Sequence, residues 1–367
     1  MKLLDQHISK ELLSPFIFGV AAFTSLMFAG GEIFKITELI TEYHAPLSAA
    51  IKVILLYLPG VVVFTLPMSM LLAALLGFGR LSGDSEIIAL FASGVSLYRI
   101  AVPVAIMAVA VTASSFVLSE MVAPKATREH QRIMQQYEPN MKNPSDKPFV
   151  VIDAKDKQTN TVVYVPPSGL NVDQTLHSID VMRFQDNKPF IFFHAENAVY
   201  AGKSPTTGEG QWMLHDGYYE TLGTPKMMMM PFSSHKITVN KTPGDFALYQ
   251  RKPEEMSFTE LRDYIRIRQA QGEDVNEDRV ELYQKISLPL SSLIFALIGT
   301  PLGLRPQRSS SAMGLGLSIV IIFTYWVLSH YLSILGGNGT LSPAAACFLP
   351  NVAGAITGIG LIYRAAK

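Results

Sequence analysis

The sequence predicts an α-helical membrane protein with six transmembrane helices and an inserted all-β, jelly-roll-like domain. Three observations carry this prediction. The chain of 367 residues is 49% apolar and only 16% charged, with a mean hydropathy of +0.26, whereas soluble domains carry about a quarter charged residues. Six long apolar stretches account for the low charge. The charge that remains is concentrated: residues 124–280 hold 19 of the 30 Lys/Arg and 21 of the 30 Asp/Glu. The chain therefore divides into an N-terminal membrane half (1–123), a polar domain (124–280) and a C-terminal membrane half (281–367). A formal net charge of zero argues against a basic nucleic-acid binder. The single Cys347 excludes a disulfide scaffold and a cysteine-rich metal site.

Crossing a hydrocarbon core of ~30 Å takes ~20 mostly apolar residues in a helix. Residues 12–31, 53–79, 100–119, 286–304, 309–335 and 343–363 reach that length without one Asp, Glu, Lys or Arg. Pro59 and Pro67 interrupt the second span, and Pro289 and Pro301 the fourth. Membrane helices tolerate proline where neighbouring helices re-satisfy the freed carbonyls. The first span follows Lys2 and Lys10 as a signal peptide would, but it is long and lacks a small-x-small cleavage site. It is expected to be retained as an anchor.

Orientation follows from the short flanking segments. Lys2 and Lys10, Arg80 and Arg99, Arg305 and Arg308, and Arg364 and Lys367 fall on one side. On the other, residues 336–342 carry no Lys or Arg, and Lys35 and Lys52 are offset by Glu38 and Glu42. The positive-inside rule then places both termini in the cytoplasm and residues 124–280 on the opposite face.

Within the polar domain, β-like runs at 148–153, 161–165, 176–184, 190–200, 210–220 and 234–239 are rich in Val, Ile, Phe, Tyr or Trp, and most are bounded by turn residues. Their spacing predicts an antiparallel sandwich or jelly roll. Residues 124–137 and 259–271 have helical spacing and flank it. His177, His194, His215 and His235 lie in separate strands or loops without metal-ligand spacing, so no metal site and no catalytic arrangement is predicted. The methionines at 227–230 suit either an adaptable apolar groove or an ordinary strand. Asn338-Gly339-Thr340 is a short sequon of the kind that recurs by chance. His330 is expected to hydrogen-bond between helices. Gly354 and Gly358 form a G-x-x-x-G that can bring two helices close.

Two groups of residues can carry mechanism. Between spans two and three, Gly83 and Asp84 break and cap the chain, a short amphipathic helix runs over 85–93, and Gly94 suits its end. Asp84 and Glu86 favour its N-terminal dipole. A lipid-surface helix and a coupling helix docked on a cytoplasmic motor fit this segment equally. At the other membrane face, Lys125, Arg128 and Arg132 follow span three at i, i+3 and i+7, and Lys35 stands near Glu32 where span one emerges. Interfacial snorkelling or helical ion pairs such as Glu32 with Lys35 explain these residues economically. A cation ring for an anionic lipid headgroup is the functional alternative. No G-x-x-x-x-G-K-[ST] occurs, so any ATP-driven work needs another polypeptide.

Three segments together resemble the LptF/LptG (YjgP/YjgQ) family of lipopolysaccharide export permeases. They are Leu66-Pro67-Met68-Ser69-Met70-Leu71-Leu72-Ala73-Ala74-Leu75-Leu76-Gly77-Phe78-Gly79-Arg80-Leu81 leading to Ser85-Glu86 and Ala92-Ser93-Gly94, then Val122-Ala123-Pro124, then Ile286-Ser287-Leu288-Pro289-Leu290 running to Gly299-Thr300-Pro301-Leu302-Gly303-Leu304. The resemblance extends over essentially the whole chain. It implies a multi-pass protein of the bacterial inner membrane whose central jelly roll is periplasmic. It also implies pairing with a second permease subunit (paralogue or self) on a cytoplasmic dimer of ATP-binding subunits, which use ATP and Mg; this chain itself is expected to bind no cofactor. The substrate implied is lipopolysaccharide, taken from the outer leaflet among membrane lipids and handed to periplasmic bridge proteins. By the same resemblance Glu86, with Asp84, Ser85 and Gly94 around it, contacts the ATPase. Lys35 matches a basic position that binds lipid phosphates, and Lys125, Arg128 and Arg132 fall in the basic stretch after span three. The alternative is a membrane-anchored periplasmic scaffold or sensor without a motor.

Overall fold

Every predicted span falls on a helix among the described residues, and most of these helices are longer than a bilayer core requires. The computed structural model describes residues 2–137, 149–154, 159–167, 169, 175–186, 188–204, 209–222, 229–244, 246, 251–270, 272–304 and 311–365. Arg305, Arg308 and Lys367, used for orientation, lie outside the described residues, as do Pro148, Met227 and Met228. The chain forms two units, Met1–Glu138 with Pro253–Lys367, and Pro139–Lys252. The flanks read as polar helices belong with the first, helical unit.

In that unit α1 (Lys2–Thr41) has 40 residues, or about 60 Å at a rise of ~1.5 Å per residue, twice a bilayer core. It is followed by α2 (Leu47–Gly83), the short α3 (Glu86–Ala92) and α4 (Leu97–Val117). A π-helical turn, Leu118–Val122, joins α4 to α5 (Ala123–Tyr137). After the β unit come a 3-10 turn (Pro253–Glu255), α6 (Phe258–Ala270), α7 (Asn276–Gly303), α8 (Ser311–Gly337) and α9 (Pro343–Ala365). Six of these stretches are long and apolar enough to cross a membrane.

The bundle is built around α2 and α7. In α2, 83% of the apolar window is buried, against 11% in α1 and 22% in α8. Small residues let the central helices approach. A Cβ on Gly303 would lie 2.7 Å from the Ala74 carbonyl of α2. On Gly354 and Gly358 it would meet Ile294 Cγ2 at 2.4 Å and Leu297 Cγ at 2.8 Å, so the G-x-x-x-G seats α9 directly on α7. Pro67 is buried in α2 and removes the N–H that would bond the Val63 carbonyl. Ser115 of α4 donates its hydroxyl to that carbonyl at 3.3 Å, the kind of repair that makes a buried proline tolerable. The hydrogen bond expected of His330 is not formed among the described residues, and its side chain is exposed. The neighbouring link is instead Tyr325, which donates to Asn351 Oδ1 at 2.9 Å, while Asn351 Nδ2 donates to the Ser287 carbonyl at 2.8 Å.

The β unit is one antiparallel sheet in sequence order: β1 (Phe149–Ala154), β2 (Thr159–Val165), β3 (Leu176–Gln185), β4 (Lys188–Lys203), β5 (Gly210–Thr221) and β6 (Met229–Thr238). The antiparallel all-β expectation holds; the strand order is that of a meander. Alternation of side chains builds one core from Val151, Val163, Val181, Phe193, Trp212 and Leu214, among others. The alternation resets along a line across the sheet. Leu176 and Ile179 are both buried, as are Ala195 and Ala198. Pairing there steps from His177↔Asn197 to Ile179↔Ala195, from Asn197↔His215 to Ala195↔Gly217, and from His215↔Ser234 to Gly217↔Phe232. Ser178 and Asp216 take positive φ (51° and 52°) on this line. The crease turns both limbs of the sheet toward the same core. Gly217 is required beside it, since a Cβ there would sit 2.0 Å from the His194 carbonyl oxygen. The histidines pair locally: His194 Nδ1 lies 2.7 Å from Asp180 Oδ1, and His235 stacks on Phe193 at 5.2 Å.

Candidate functional site

Near the C-terminal end of α1, a helical i, i+3 spacing brings Lys35 Nζ to Glu32 Oε2 at 3.2 Å. The other carboxylate oxygen, Oε1, lies 2.9 Å from His130 Nε2 on α5. Glu32 is 2% exposed, while the Lys35 side chain is 53% exposed. A buried carboxylate is costly unless paired and hydrogen-bonded, and these two partners meet that need. Tyr57 of α2 packs on the His130 ring, with centroids 5.9 Å apart. The ion pair considered from sequence is therefore formed, and Lys35 still presents half of its surface outward.

The three cations of α5 part company. Arg128 is half-buried; it donates through Nε to the Glu255 carbonyl at 3.0 Å and its guanidinium bonds the Glu260 carboxylate. It ties α5 to the 3-10 turn and α6. Beside it, Glu120 of the π turn accepts from the Phe258 backbone N–H at 2.7 Å, which fixes the start of α6. Arg132 is exposed, pairs with Glu129 at 3.5 Å, and lines with Lys52 a cavity of about 560 Å³ between α5 and the start of α2. Lys125 is exposed and makes no ion pair among the described residues. The α5 residue that shares Glu32 with Lys35 is His130, which the sequence did not single out. Its partner Glu32 lies 98 positions away, and no local pattern links them.

At the N-terminal end of the bundle, α2 stops at Gly83, and the Asp84 N–H closes on the Arg80 carbonyl at 2.9 Å. The left-handed step that redirects the chain is made by Ser85 (φ 62°), without a side-chain cap. The helix over 85–93 is observed as Glu86–Ala92, and Gly94 ends it with φ 81°. α3 buries Ile87 and exposes Ile88 and Phe91. Glu86 Oε2 lies 2.8 Å from His7 Nε2 of α1. Among the described residues, no three His, Cys, Asp or Glu converge as metal ligands.

Six helices long and apolar enough to cross a membrane, with a polar β unit inserted midway, define a multi-pass membrane protein. Residues 6–364 match the family model "Lipopolysaccharide export system permease LptF/LptG", and the chain belongs to that family. It is 22% identical to the lipopolysaccharide export system permease protein LptG of Escherichia coli (strain K12), over 98% of each chain. It is 21% identical to LptG of Haemophilus influenzae, over 94% of this chain and 93% of the relative. The protein is thus a multi-pass inner-membrane permease of the lipopolysaccharide export system.

Proposed function

We propose that this chain is a permease subunit that uses the ATP hydrolysis of a separate cytoplasmic subunit to lift lipopolysaccharide out of the outer leaflet. The lipid then passes over its periplasmic β unit toward the outer membrane. On this reading both termini are cytoplasmic, and ATP and Mg act only on the partner. The observation that supports it most directly is the pairing of family membership with α3, an exposed short helix that offers Glu86, Ile88 and Phe91 at one end of the bundle.

The physics requires such a device. Each methylene drawn from an apolar environment into water costs ~0.8 kcal/mol, so a lipid with several acyl chains needs both external energy and an apolar receiver. The outward apolar faces of α1 and α8 suit a receiving cavity shared with a second permease subunit. Lys35 then stands at phosphate depth. The apolar core face of the β sheet suits shielding of acyl chains in transit.

Glu86→Arg tests the motor contact. Reversing a charge at a buried ionic contact costs about 2–5 kcal/mol, so the ATP-binding subunit should no longer copurify stoichiometrically and lipid release should fall with it. Normal copurification and transport in that variant would remove the coupling role of α3. Absence of any ATP-binding subunit from the wild-type assembly would favour the scaffold.

A further inference from the structure

Three acidic or imidazole groups on the first turns of α1 reach α3 itself and the two helices that flank it in the chain, α2 and α4. Asp5 meets Arg99 in the first turn of α4 through two contacts of 2.7 Å, Oδ2 with one guanidinium nitrogen and Oδ1 with the other. His7 Nε2 lies 2.8 Å from Glu86 at the start of α3. Glu11 lies 3.5 Å from Arg80 in the last turn of α2. Between these polar contacts, Ile8 and Leu12 are fully buried in one cluster with Phe78, Leu81, Ile87, Leu97 and Ile100. The apolar contact supplies adhesion, and the polar contacts set rotation and register.

Helix α3 needs an external support. It has seven residues, an uncapped start at a left-handed Ser85, and only Ile87 buried. Isolated helices shorter than ~12–15 residues are marginal in water, so the direction in which Glu86 points is not set by α3 itself. We infer that the N-terminal turns of α1 are a brace for α3, with Asp5, His7 and Glu11 as positioning residues for the coupling step. His7 holds one carboxylate oxygen of Glu86 and leaves Oε1 without a protein partner among the described residues, so the group is aimed while still able to accept a cation from a second protein. The inference rests on the reading of α3 as the motor contact.

The test uses the complete membrane assembly with a spin label at Ala92→Cys, an exposed α3 position away from Glu86, Ile88 and Phe91, in a Cys347→Ser background. Asp5→Arg sets two guanidinium groups against each other, and adding Arg99→Asp restores an opposite pair. The single variant should lose the immobilised component of the label and raise the ATP consumed per lipid released, and the double variant should regain both. An unchanged label in Asp5→Arg would overturn the brace, as would a double variant no better than the single one. If the label loosens in Asp5→Arg and recovers in the double variant while ATP use per lipid stays normal, the brace stands and the motor reading of α3 fails.

Discussion

Glu32 shows how much one side chain can organise at a membrane surface. Its buried carboxylate is shared between the local partner Lys35 and the distant His130, so it holds the last turns of α1 against α5. Glu32→Gln keeps the shape and removes the charge. Losing hydrogen bonds to a charged group costs about 1.5–3 kcal/mol, and a lower thermal midpoint of the purified assembly would register it. Lys35→Gln can still donate to the buried Glu32 carboxylate and should shift the midpoint little, while loss of the charge should reduce photo-crosslinking to lipopolysaccharide. An unchanged lipid yield would return Lys35 to a purely interfacial role. The Glu32–Lys35 pair was legible in the sequence because i, i+3 neighbours on a helix must meet. His130 was not, since its partner is set by where the packing of α5 on α2 brings it beside α1. For the same reason the sequence offered Arg128 only local partners, the interface or a lipid headgroup, and it proves to be joined to Glu260 across 132 positions.

At the scale of elements, the helices were legible and their ends were not. Runs without charge mark the part of a helix that sits in hydrocarbon, whereas α1, α2 and α5 continue on polar turns supported by tertiary contacts. The crease in the β sheet was equally hidden. Positive φ falls on Ser178 and Asp216 rather than on glycine, so no residue type announced the reset of alternation. The α9–α7 seam, by contrast, was written in Gly354 and Gly358. Gly358→Leu must displace Leu297, whose Cγ already lies 2.8 Å from the position of a Cβ. Overpacking of this kind costs about 1–3 kcal/mol and should lower the thermal midpoint. Gly316→Ala on α8, with nothing within 4 Å of the added carbon, should leave it in place.

For the molecule as a whole, the distribution of charge along the chain foretold the architecture, and the exposed apolar faces of its spans are where the proposed second permease subunit would sit. Leu26 on α1 and Phe323 on α8 are 69% and 67% exposed. A photo-reactive residue at either position should capture a second permease subunit. Capture of lipid alone at both would show these faces to be ordinary lipid-facing surface.

The length of α1 also makes it a lever. His7 and Glu32 sit on one helix on opposite sides of Pro15, with Glu32 about 26 Å from it at the helical rise, so a tilt of roughly 5° about that point displaces Glu32 by about 2 Å. That distance is enough to part an ion pair. Pro15 is the one proline along the helix, and it lies nearer the His7 end, so the long arm runs toward Lys35. A nudge delivered where the chain begins is therefore magnified where the cation waits.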